Sequence, residues 1–130
     1  MTASTSTRPS QLPPTIRAFL AARAERAVDD ALRAFGDDPV VVDDGRTFRG
    51  ADEVRGFLRD AGTEFTYTTE LLGAWRLGDD RWVVRHHLVG DFPGGIADLD
   101  HRFTLGGGLV AELVIAPGTD DLPPELVVVF

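Results

Sequence analysis

Cysteine is absent from the 130-residue sequence, which excludes disulfides, thiolate metal sites and cysteine nucleophiles and gives no sign of adaptation to an oxidising compartment. Lysine is absent as well. All 13 basic residues are arginine, and with abundant Ala, Gly and Asp this is a composition expected of a GC-rich bacterial genome. Basic charge is in deficit, 13 residues against 21 acidic ones for a net charge of -8, and it is nowhere gathered into a patch. A nucleic-acid partner is therefore not expected, because phosphate binding needs a clustered basic surface. Long apolar runs are missing too. No stretch approaches bilayer-spanning length, and Met1 to Pro14 is Ser/Thr/Pro-rich without the apolar centre of a signal peptide. These absences predict a cytoplasmic protein with no membrane partner and no cofactor.

What is present suits one folded domain. Hydrophobic residues make up 43% and charged residues 26%, close to average globular usage, and the length allows one core rather than two. Residues 1–11 read as a disordered lead-in, 12–117 as the domain, and 118–130 as a linker followed by an apolar, β-prone end. Such an end, Glu125 to Phe130, is expected to pair with a sheet edge or to cross to a partner subunit.

The periodicity changes once along the chain. From Thr15 to Phe35 the apolar residues Ile16, Phe19, Leu20, Ala24, Val28, Ala31, Leu32 and Phe35 recur at spacings of three and four, which predicts two consecutive helices or one bent helix after Pro13-Pro14. Gly36-Asp37-Asp38-Pro39 ends that helix. Val40-Val41-Val42 reads as a buried strand closed by the turn Asp43-Asp44-Gly45, and Gly50 precedes a third helix with Val54, Phe57, Leu58 and Ala61 inward. From Thr63 onward the period is two, with long strands near 64–77, 81–92, 96–105 and 109–116 separated by Gly78-Asp79-Asp80, Pro93-Gly94-Gly95 and Gly106-Gly107-Gly108. Helices first and a hairpin-linked meander afterwards define an α+β architecture, a curved antiparallel sheet packed against three N-terminal helices.

Alternation assigns faces. Phe65, Tyr67, Leu71, Trp75 and Leu77 share one side of the first long strand, Trp82, Val84, His86 and Leu88 one side of the second. Leu99, His101, Phe103 and Leu105 follow on the third, and Leu109, Ala111, Leu113 and Ile115 on the fourth. Val83, Val89, Val110 and Val114 fall on the opposite side, and a sheet apolar on both sides predicts a homodimer.

Three strings carry a family resemblance: Ala31-Leu32-Arg33-Ala34-Phe35-Gly36-Asp37-Asp38 before Val40-Val41-Val42-Asp43; Phe48-Arg49-Gly50-Ala51-Asp52-Glu53-Val54-Arg55-Gly56-Phe57-Leu58; and Leu99-Asp100-His101-Arg102-Phe103-Thr104-Leu105. In this order they resemble the superfamily of nuclear transport factor 2, ketosteroid isomerase, limonene epoxide hydrolase and the SnoaL-like polyketide cyclases. The resemblance implies a cone-shaped fold around an apolar pocket and leaves the chemistry open, because unrelated activities share the scaffold. It places the isomerases' general base at Asp43, where partial desolvation would raise proton affinity as it does in the ketosteroid isomerases. The family's oxyanion-binding tyrosine falls near Phe19, which has no hydroxyl. Its second donor falls at Asp100 or at His101, with the apolar alternation favouring His101. Without two aimed donors an enolate loses most of its stabilisation, which argues against a steroid-type isomerase.

The candidate catalytic residues are thus Asp43, His101 and His86, and the candidate ligand-binding wall is Phe19, Phe35, Phe57, Trp75, Trp82 and Phe103. Asp43-Asp44-Gly45 also reads as an ordinary turn, the histidines as semi-buried structural residues, and the rings as core. Adjacent His86 and His87 point to opposite faces of a strand, so no metal site is expected. Gly106-Gly107-Gly108 joins two strands and is not a phosphate cradle, and Ser4, Ser6 and Ser10 lack the setting of a serine nucleophile. The leading expectation is a pocket protein for an unknown small molecule, apolar or weakly polar. Alternatives are an acid/base enzyme with Asp43 as base, and a non-catalytic dimerisation or interaction module.

Overall fold

The computed structural model describes residues 11–61 and 63–118, together with the backbone of Thr5 and Ser6. In chain order the elements are β1 (Thr5–Ser6), α1 (Pro14–Ala24), α2 (Val28–Arg33), β2 (Phe35–Asp43), β3 (Arg46–Arg49), α3 (Gly50–Asp60), β4 (Tyr67–Arg76), β5 (Arg81–Gly90), β6 (Ile96–Gly106) and β7 (Leu109–Pro117). The strands form one curved, unclosed sheet in the order β1-β4-β5-β6-β7-β2-β3. Thr5 and Ser6 pair with Arg76 and Trp75 at the β4 edge. The expected pairing of the C-terminal end lies outside the described residues.

Local chemistry sets the helix limits. Pro14 opens α1 where a missing N–H costs nothing. Arg26, with a left-handed φ of 56°, separates α1 from α2, so the long apolar stripe is carried by two helices. In α3 the acidic residues Asp52 and Glu53 occupy the first turn, and Glu53 accepts the Arg49 N–H at 3.0 Å. Arg55 of α3 pairs with Asp29 of α2, tying the helices together.

Three details differ from the sequence expectation. The second helix stops at Arg33, and Phe35 belongs to the sheet, because Val110 N–H donates to Ala34 O at 2.9 Å and holds the chain extended there. The meander of β4 to β7 is antiparallel, whereas β2 lies parallel to β7, with Val41 opposite Leu113 and Asp43 opposite Ile115. Bulges also change the alternation twice. Leu72 is an extra residue in β4, since Leu71 pairs with His86 and Gly73 with Arg85, and Ala111 is extra in β7. Beyond Leu72, Ala74 takes the inner face, while Trp75 joins Val83 and Leu77 in a separate cluster on the outer face. Past Ala111 the inner residue is Val110, fully buried in the main core, and Leu109 is exposed.

The inner face carries the main core. Ile16, Phe19 and Leu58 from the helices meet Val41, Ala74, Val84, Phe103, Val110 and Leu113 from the sheet. Phe19 stands edge-on to Phe35 and to Phe103, each at 5.7 Å between centroids, which closes the narrow end of the cone. At the other end Leu71, His86, Leu88, Leu99 and His101 stay partly accessible. Gly90 fits there for want of a side chain: a Cβ would lie 2.5 Å from the Thr66 carbonyl oxygen and from Tyr67 Cβ, so β4 approaches β5 closely where Tyr67 turns inward.

Candidate functional site

The site grows from strand register. Val84 pairs with His101 and His86 with Leu99, so the two histidines are diagonal neighbours on the inner face. Their rings meet edge-on with centroids 4.8 Å apart, and His101 stacks on Phe103 at 6.4 Å. Nδ1 of each is buried without a hydrogen-bond partner among the described residues. Burial pushes the pKa of His86 down to about 4 against the opposing charge of Asp100. That of His101 falls to about 3, through burial first and then the neighbouring His86 and Arg23. Both rings are neutral at physiological pH, each with one nitrogen that donates and one that accepts.

Asp43 reaches the same wall from β2. It ends the strand two residues after buried Val41, so alternation turns it inward, and the hairpin that follows is made by Asp44 and Gly45 with φ of 52° and 78°. Burial is the main cause raising its pKa; Asp44 adds to the effect, while Arg46 and Arg23 oppose it. Asp43 closes the strand immediately before the turn proper.

Arg23 completes the group and was missed in the sequence. It lies in the last turn of α1, where its Nη1 donates to the Leu58 carbonyl at 2.9 Å, one of the carbonyls that the end of α3 leaves unsatisfied. Burial lowers its pKa, offset by Tyr67 and Asp43 and reinforced by Arg26, and the guanidinium stays charged. Arg23, Ala24, Arg26, Tyr67 and Thr69 line a cleft of about 280 Å³. A signal for Arg23 existed: it sits seven residues after Ile16 and four after Phe19, a position on the apolar helical face where a charge is out of pattern.

The other expected residues go elsewhere. Asp100 is fully buried on the outer face, bound by Arg85 at 2.7 and 3.0 Å with Arg102 at 3.9 Å, so His101 is the inward residue of that pair. Trp75 is also on the outer face, under the Arg85 guanidinium at 5.4 Å, and does not line the cone. Phe19, Phe35 and Phe103 interlock, and Phe57 packs on Phe48 at 5.1 Å, so these rings fill the interior rather than an open wall. Trp82 faces inward at the margin, with Arg76 over its ring at 5.4 Å. His87 points outward to Asp98 at 2.6 Å. Among the described residues no cluster of three or more His, Asp or Glu side chains is arranged to hold a metal ion. No helix among them is long and apolar enough to cross a membrane.

The chain matches no family profile and no curated protein. Solved structures do match it. A candidate polyketide cyclase from Sinorhizobium meliloti is 26% identical, with a TM-score of 0.77 over 85% of this chain and 100% of that one. A protein of ketosteroid isomerase-like fold from Catenulispora acidiphila, solved with trimethylamine, is 16% identical with a TM-score of 0.67 over 80% of this chain and 85% of that one. TerC, co-crystallised with polyporic acid, is 19% identical with a TM-score of 0.66 over 80% of this chain and 88% of that one. The last two likenesses bear on fold alone. Three helices on a curved, unclosed mixed sheet define an α+β cone. The chain has the fold of the nuclear transport factor 2-like proteins it matches, among them the Sinorhizobium protein described as a candidate cyclase.

The histidines make stability depend on acid. Their folded pKa values, about 4 and about 3, lie below the unfolded value near 6.5, so the unfolded chain takes up protons first. Their contribution is present above pH 6.5 and is lost as pH falls to about 4 for His86 and about 3 for His101. The free energy of unfolding should drop by about 2 kcal/mol per pH unit between roughly pH 6 and 4.5 for the pair. Urea titrations across that range should show this slope, and His101→Asn should halve it; an unchanged slope would mean that the ring is hydrated.

Proposed function

We propose that this chain is a small-molecule pocket protein, its ligand entering the wide end of the cone against Leu71, Leu88 and Leu99. The observation that carries this reading is the pair of unpartnered nitrogens on His86 and His101. A buried polar atom left without a hydrogen bond costs about 1–3 kcal/mol, and a ligand that displaces the side chains covering these nitrogens would recover it. That a chain of the same fold has been solved with polyporic acid supports the reading.

A ligand present at a hundredfold excess over its Kd contributes about 2.7 kcal/mol to stability. Thermal-shift screening against a broad set of hydrophobic metabolites should therefore raise the Tm for some compound. A flat response across the set would remove the pocket reading.

Asp43 favours a second, catalytic version. A carboxylate with its proton affinity raised by burial is suited to take a proton from a carbon acid, with His101, one strand further across the sheet beyond Ile115, as partner or donor and His86 as helper. The probe is deuterium incorporation at C1 of 2-tetralone in D2O. The wild type should exchange about a hundredfold faster than Asp43→Asn; equal rates dismiss Asp43 as a base.

The proposal includes a homodimer formed through the outer face. Val89 and Ile96, paired across β5 and β6, are 50% and 63% exposed there. Light scattering at micromolar concentration should return twice the 14.1 kDa chain mass, and a monomer mass refutes this part.

A further inference from the structure

The ligand's chemistry can be narrowed from the charge on the cleft wall. A guanidinium has five N–H donors in a planar fork. Among the described residues Arg23 uses one hydrogen bond, to Leu58 O, and forms no ion pair. Other arginines are treated differently: Arg33, Arg55, Arg59, Arg76 and Arg85 each have an aspartate partner, and the first four of these lie on the exposed surface. The sequence has 21 carboxylates for 13 arginines, so acidic partners are plentiful. Leaving a largely buried cation without one costs stability, unless something else supplies the negative charge.

The surroundings point the same way. The cleft beside Arg23 has a second cation, Arg26, on its lining, held there by the left-handed turn that ends α1. The Tyr67 phenol is close enough to Arg23 to interact electrostatically. Asp43 also acts on Arg23 through its charge, and among the described residues the two form no ion pair. Leu71 follows Tyr67 and Thr69 on the same face of β4 and pairs with His86, which in turn pairs with Leu99. In a chain of net charge -8, a site walled by two cations selects for the opposite sign.

We propose that the cleft binds a small organic anion, a compact apolar body bearing a carboxylate, phenolate or enolate oxygen, with that oxygen held by the Arg23 guanidinium and the Tyr67 hydroxyl. Arg26 draws the anion to the mouth, and the body lies against Leu71, Leu99 and the His86–His101 edges. This inference rests on the pocket reading above and adds the charge of the ligand and the residue that reads it.

Matched probes separate the two ideas. Isothermal titration of 2-naphthoate and 2-naphthamide compares the same body with and without the negative charge. The wild type should bind the naphthoate at least about tenfold more tightly, the scale of a charge-assisted hydrogen bond. Arg23→Gln should abolish that preference by weakening the naphthoate far more than the amide, while Arg23→Lys keeps part of it. Because Arg23 also caps α3, Arg26→Gln is the second variant and should weaken only the naphthoate, about threefold. Raising salt from about 50 to about 500 mM should weaken the naphthoate and not the amide. Equal binding of both probes by the wild type overturns the anion proposal and leaves the pocket standing; binding of neither overturns both.

Discussion

The molecule is organised by one wedge. Phe19 of α1 is inserted between Phe35 of β2 and Phe103 of β6, and its two edge-to-face contacts fasten the helices to a sheet whose contacting strands come from opposite ends of the domain. Arg23 lies one turn further along α1, where it lines the cleft with Arg26 and Tyr67.

The fold was legible because it depends on periodicity. The change from a helical to a two-residue spacing near Thr63, and the glycine-rich turns after it, located every long strand within a few residues. The parallel partnership of β2 with β7 was not legible, since nothing local in Val40-Val41-Val42 says which strand it will lie beside. Nor were the two bulges. Leu72 and Ala111 are ordinary strand residues, and strict alternation counted through them put Trp75 and Leu109 on the wrong side.

The site was half legible for the same reason. His86 and His101 lie on strands with an unbroken register between them, so alternation alone brought them together. Asp43 was reached through family resemblance, and its inward orientation agrees with buried Val41 two residues before it. Arg23 was hidden by the habit of reading a helix for its apolar stripe. The useful sign was the reverse: a charge within the stripe whose burial only a tertiary carbonyl and a cleft could accommodate.

The bulge at Leu72 divides β4 into two lengths that belong to different environments. The half from Tyr67 to Leu71 serves the interior wall, while Trp75 is committed to the reverse side, beside the Arg85–Asp100 ion pair. A substitution in one half therefore need not disturb the other. Descendants of this chain can remodel what the cavity accepts while keeping the outer surface constant, or change what that surface meets while the cavity keeps its chemistry, which lets one short strand evolve under two separate selections.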